Sequence, residues 1–148
     1  MACSRLQEVI QLFTNEPVLA EPPTVYQLEW IGDSVTKPEV NDQKDPCIVF
    51  ADILYKKDQA VKSYPYWKAV VAASRDDEPK TFTYGICKNK ERPDVLHSIE
   101  VYESKAYLWD VHAKSNAVAE GVKNTKDLRD DLVHRFLKLE AGYFYKKR

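Results

Sequence analysis

The spacing of apolar and polar positions divides the chain into a short leading region and a longer, more regular one. Leu6, Val9, Ile10 and Phe13 fall on one stripe at helical spacing, which predicts a short helix over residues 4–13. Pro17, Pro22 and Pro23 follow and end any helix. Residues 24–31, TVYQLEWI, alternate and contain Val, Tyr and Trp, so they predict a strand. Residues 32–46 are polar, with Gly32, Pro38, Asn41, Asp42 and Asp45, and read as a loop. Residues 1–46 thus form an N-terminal arm and residues 47–148 the main domain.

That domain opens on CIVFADILY, residues 47–55, which is apolar at both parities and interrupted only by Asp52. A strand buried on both faces has this pattern. Asp58 is placed to cap a helix running to about Arg75, with Ala60, Tyr64, Trp67, Val71 and Ser74 on its stripe. Pro65 lies inside it and is expected to kink it or delay its start. Residues 76–80 predict a turn, 81–88 a second strand, 89–94 a hairpin connection and 95–102 a third strand. Ser104 is placed to cap a second helix whose stripe is Leu108, Val111, His112, Ser115 and Val118. Asn124 or Thr125 is placed to cap a further short helix with Leu128, Leu132 and Val133. Residues 136–146 alternate and predict the last strand.

The order β-α-β-β-α-β is the ferredoxin-like arrangement of an α+β protein. Two helices cover one face of a four-stranded sheet. Because the first strand is apolar on both sides, the other face is expected to be buried too. A second copy packing sheet to sheet would make a dimeric α+β barrel, and the arm is the other candidate cover.

The 148 residues suit one such domain. A net charge of −1 gives phosphate backbones and anionic lipid nothing to bind, so neither nucleic acid nor membrane is expected as a partner. Cys3, Cys47 and Cys87 make no disulfide framework, no apolar run is long enough to span a bilayer, and Glu8 interrupts the start. These features predict a cytoplasmic protein. With 4 glycines and no phosphate-cradling motif, a nucleotide cofactor is not expected. His97, His112 and His134 lack ligand spacing, so no metal site is expected.

His112 is the first candidate for chemistry. It lies on the helix stripe that faces the sheet, and a neutral imidazole there could take a proton from a phenol or an acidic C–H. Asp52 is the second, because a carboxylate in an apolar strand is either functional or at a solvated edge or interface. Trp67, Tyr84, Tyr102 and Tyr64 are the candidates to line a cavity for a flat apolar ligand. Glu100 is read as structural, and His97 and His134 as structural or surface residues.

The stretch EPKTFTYGICKNKERPDVLHSIEVYESKAYLWDVHAKSNAV resembles the antibiotic biosynthesis monooxygenase-like family of dimeric α+β barrels. The matching positions are Glu78-Pro79, Tyr84, Glu100-x-Tyr102, His112 and Ser115. His112 stands one residue further from the Glu-x-Tyr than the family pattern has it. The resemblance implies a homodimer and a cofactor-independent enzyme of secondary metabolism. The expected substrate is a small aromatic or polyketide-like molecule, and the expected reaction a monooxygenation, cyclisation or isomerisation. A non-catalytic ligand-binding or stress-related barrel is the alternative.

Overall fold

A computed structural model describes residues 24–140, together with Gln7, Glu8, Gln11, Asn15 and Glu21. The apolar stripe of the first predicted helix and the stretch 141–146 of the last predicted strand lie outside these residues. The arm contributes β1 (Leu28–Trp30), β2 (Val35–Thr36) and a 3-10 turn at Pro38–Asp42. The main domain follows as β3 (Cys47–Tyr55), α1 (Ala60–Asp76), β4 (Thr81–Asn89), β5 (Val95–Tyr102), α2 (Lys105–Asp110), α3 (Asn116–Thr125) and β6 (Arg129–Leu137).

The sheet runs β1-β4-β5-β3-β6, with β2 also paired to β4, and every pairing is antiparallel. The four strands of the main domain thus take the ferredoxin-like order, with β3 and β5 central. Centrality explains why β3 is apolar at both parities. Val49, Ile53 and Tyr55 turn toward the helices and join Tyr84, Ile86, Leu96, Tyr102, Val70, Val71 and Leu108 in the main core. Ile48 turns the other way and packs with Val40, Phe82 and Val101 in a second, smaller core. Val40 comes from the arm, so the arm covers one part of the face the helices leave open.

Five expectations need correction. Asp58 does not cap α1. It sits in the preceding turn at φ 60° and gives its N–H to Asp94 Oδ1 at 2.8 Å, a left-handed conformation that Asp tolerates better than most residues. Pro65 does not delay the start of helix α1, which begins at Ala60 and runs on through the proline. The carbonyl left without its partner is that of Val61, whose residue is 61% exposed, so water can serve it. The single helix expected after Ser104 is two. Ser104 Oγ caps α2 by accepting from Tyr107 N at 3.1 Å, and Ser115 Oγ caps α3 by accepting from Val118 N at 3.4 Å. A hydroxyl that captures a backbone N–H starts a new helix there and breaks the old one. Finally, Leu128 lies in a 3-10 turn, while Leu132 and Val133 belong to β6, not to a helix. The free edge of β3 decides this, because it offers a ladder from Ile48 to Tyr55. The expected loop over residues 32–46 likewise holds β2 and a 3-10 turn.

Candidate active site

A cavity of about 230 Å³ opens between the sheet and the helices α2 and α3. Ala51 and Ile53 of β3, Tyr84 of β4, Ser98 and Glu100 of β5, and Leu132 of β6 reach it from the sheet. Trp67, Leu108, His112 and Val118 close it from the helical layer. Arg129, His134, Trp109 and Val122 also line it, at the side where β6 is exposed. Most of this surface is apolar, as a site for a flat organic molecule requires.

His112 sits in the 3-10 turn His112–Lys114 that the two serine caps create between α2 and α3. That turn drives the ring inward, and only 5% of the residue is exposed. Its Nδ1 lies 2.8 Å from Glu78 Oε2. A carboxylate only accepts, so Nδ1 carries the proton and Nε2 is the nitrogen left for a ligand. The ring stands 4.9 Å from the Tyr84 ring and 5.1 Å from the Tyr102 ring, centroid to centroid.

Glu78 lies in the connection between α1 and β4, and several contacts fix it. Thr81 Oγ1 donates to the same Oε2 at 2.6 Å. Lys37 of the arm donates its ammonium to the Glu78 carbonyl at 2.6 Å and to the Ser74 carbonyl at 3.2 Å. Burial pushes the Glu78 carboxyl up, yet the hydrogen bonds from His112 and Thr81, with the charges of His112 and Lys37, bring it below its ordinary value. Glu78 is therefore a buried carboxylate that orients an imidazole, the arrangement that holds a catalytic base in one tautomer.

Of the expected lining residues, Trp67 and Tyr84 face the cavity, and Trp67 Nε1 donates to Tyr55 Oη at 2.8 Å. Tyr102 lies behind the wall and donates its hydroxyl to Glu100 Oε2 at 2.8 Å. Burial, followed by the Glu100 charge, raises the Tyr102 phenol well above its ordinary range, and the same two causes act on Tyr84. Both are thus neutral donors at ordinary pH. Tyr64 is elsewhere, beside a surface recess with Glu29, Lys88 and Pro93. Ser98 Oγ is buried with no hydrogen-bond partner among the described residues.

Asp52 is not brought to His112. It points to the opposite face of the sheet, where Oδ1 accepts from His97 Nδ1 at 2.8 Å and Oδ2 pairs with Arg135 Nη1 at 2.6 Å. Asn89 Nδ2 meets the other His97 nitrogen at 3.3 Å, and Phe50 and Tyr26 stack on the ring at 5.3 and 5.4 Å. Asp52 and His97 are thus fully engaged with each other and their neighbours.

The pattern of residues singles out neither Arg129 nor, as a partner for His112, Glu78. Glu78 was visible only as part of the Glu-Pro of the resemblance.

No protein-family model matches the chain, and no curated protein matches it. Solved structures do. One from Lactobacillus acidophilus NCFM, provisionally named a monooxygenase, superposes with a TM-score of 0.71 at 18% identity, over 93% of this chain and 61% of its own. One from Bacteroides thetaiotaomicron VPI-5482, provisionally named an antibiotic biosynthesis monooxygenase, gives 0.64 at 17%, over 70% of this chain and 98% of its own. A third, from Fusobacterium nucleatum and provisionally named a monooxygenase, gives 0.70 at 16%, over 100% and 66%. The fold is the one these structures share. This chain spans less than two thirds of the length of the first. Identities this low establish the fold alone, so what the site does rests on its own geometry. Among the described residues, no helix is long and apolar enough to cross a membrane.

Proposed function

We propose that the chain is a monooxygenase that needs no bound cofactor and acts on an electron-rich aromatic or polyketide-like molecule of secondary metabolism. The observation that carries this is the His112–Glu78 pair, buried in the wall of an apolar cavity. His112 Nε2 takes the proton from an acidic C–H or phenol of the substrate, and Glu78 stabilises the imidazolium that forms. The carbanion gives its electrons to dioxygen and forms a C–O bond. The resulting hydroperoxide loses water, so that a CH₂ and O₂ become C=O and H₂O. Trp67 and Tyr84 sandwich the ring and exclude water from the anion. The provisional names of the similar structures support the reaction class.

Oxygen uptake with 1,8-dihydroxyanthrone tests the reading. The protein should consume one O₂ per anthrone at a rate well above the buffer blank. His112→Gln should slow this about 100-fold or more, the scale of lost general-base catalysis. Uptake no faster than the blank across anthrones and quinols, or His112→Gln as active as the parent, would refute it.

The face opposite the cavity supports a homodimer. Among the described residues the arm covers only part of it, and Phe50, Leu54 and Ile99 are half-buried there while Val133 and Leu137 are 36% and 51% exposed. Sheet-to-sheet packing of a second copy would bury them. Sedimentation should give a dimer that Val133→Asp weakens, and a monomer at all concentrations would refute it.

A further inference from the structure

The placement of Arg129 depends on an irregularity in β6. Arg129 and Leu132 are three residues apart, so strict alternation would send them to opposite faces. Both line the cavity. The register explains this, because Leu54 opposes Asp131 whereas Tyr55 opposes Arg129. One extra residue, Asp130, is taken up as a bulge, and a bulge is the device that re-aims a side chain at a site.

The cation so aimed is uncommitted. Arg135, on the other face, is paired with Asp52, but Arg129 has no ion-pair partner among the described residues. Asp131 does not answer it, since its Oδ1 accepts from Leu132 N at 2.8 Å and its position opposes Leu54 on the other face.

The strands also act as a ruler. Glu100 opposes Val49, and Arg129 opposes Tyr55. Those levels are six residues apart on β3, about 20 Å of extended strand before the side chains reach inward. Ala51 and Ile53 form the floor between them. The buried Glu100 carboxylate stands at the His112 and Tyr84 end and repels an anion. The Arg129 guanidinium stands at the other and attracts one.

We propose that Arg129 is an anion anchor, and that the cavity takes a flat aromatic molecule carrying a carboxylate at the end remote from His112. This rests on the reading of the cavity as a small-molecule site and adds the substrate's charge and orientation. A guanidinium offers the carboxylate two parallel N–H donors, which a lysine ammonium does not.

Calorimetric titration with 6-hydroxy-2-naphthoate and with its methyl ester tests it. The parent protein should bind the acid at least about tenfold more tightly than the ester, as expected of a charge-assisted hydrogen bond. Arg129→Gln should abolish that preference while leaving ester affinity within about twofold. Unchanged ester binding also shows that the variant is folded. Arg129→Lys should keep part of the preference. Equal binding of acid and ester by the parent, or a preference that survives Arg129→Gln, would overturn the anchor and leave the small-molecule site standing. Failure of the parent to bind either compound would overturn both.

Discussion

Replacing Glu78 by Gln isolates the charge of the buried pair while keeping its shape. Two donors, His112 Nδ1–H at 2.8 Å and Thr81 Oγ1–H at 2.6 Å, converge on Oε2. An amide carbonyl has two lone pairs and can accept both, and the amide NH₂ would fall where Oε1 now has no partner among the described residues. The substitution therefore removes no hydrogen bond and lowers the strength of two. Hydrogen bonds to a charged group contribute about 1.5–3 kcal/mol and neutral ones about 0.5–1.5. The expected loss is about 1–3 kcal/mol at pH 7, the low end if the two bonds share one gain. Its pH dependence has a definite sign. The Glu78 carboxyl is held below its ordinary value of 4.5, so its contribution is present in full above 4.5 and is lost as pH falls through the lower folded-state value. Urea unfolding followed by tryptophan fluorescence, on parent and variant from pH 7 to pH 3, measures the gap directly. The gap should shrink as pH falls below about 5. Groups remote from Glu78 titrate in both proteins and cancel. A gap that does not shrink below about pH 5 would show that Glu78 is not a stabilised carboxylate.

Three further outcomes follow from single contacts. A Cβ on Gly85 would overlap the Trp30 ring and come within 2.9 Å of the Ser34 side chain, so Gly85→Ala should cost about 1–3 kcal/mol and shift Trp30 fluorescence. An unchanged unfolding midpoint would contradict that close approach. Burial pushes the Cys87 thiol up to about 11, so iodoacetamide at pH 8 should leave Cys87 unmodified in the folded protein and alkylate it in urea, as read by peptide mass spectrometry. Lys37→Met removes both hydrogen bonds to the carbonyls of Ser74 and Glu78 and should lower stability by about 1–3 kcal/mol, with oxygen uptake falling as the Glu78 loop loosens. Full activity in that variant would detach the arm from the site.

Much of the fold could be read from periodicity because its central strands leave little choice. CIVFADILY is apolar at both parities because β3 lies between β5 and β6 and packs on two cores. Strands β4 and β5 were placed within a residue of their bounds for the same reason. The misses cluster where local chemistry and long-range pairing compete. Leu128 and Leu132 have helical spacing, yet the unfilled edge of β3 draws residues 129–137 into a strand. Ser115 occupied a stripe position in a single helix, but its hydroxyl was free to take the Val118 N–H and begin another. Neither outcome is visible in spacing alone, because each turns on a partner that the spacing does not name.

The site divides along the same line. His112 was legible as a residue facing the sheet, but its partner was not. Glu78 is 34 positions away and reaches it only because the α1–β4 connection and the α2–α3 turn stack at the same end of the sheet. Asp52 stood out for a sound reason, a carboxylate in an apolar strand. What answers that carboxylate, however, is His97 directly across β5 and Arg135 on β6, both on the face away from the cavity. One parity step on β3 separates Ala51, which floors the cavity, from Asp52, which does not reach it. Arg129 was the least legible of all. In sequence it is one charge among DLRDDLVHR, and alternation counted back from Leu132 would turn it to the wrong face. Only the bulge at Asp130 reverses that count. A charge hidden by a break in periodicity is the kind of residue that pattern reading discards, and here the break sets it beside the cavity.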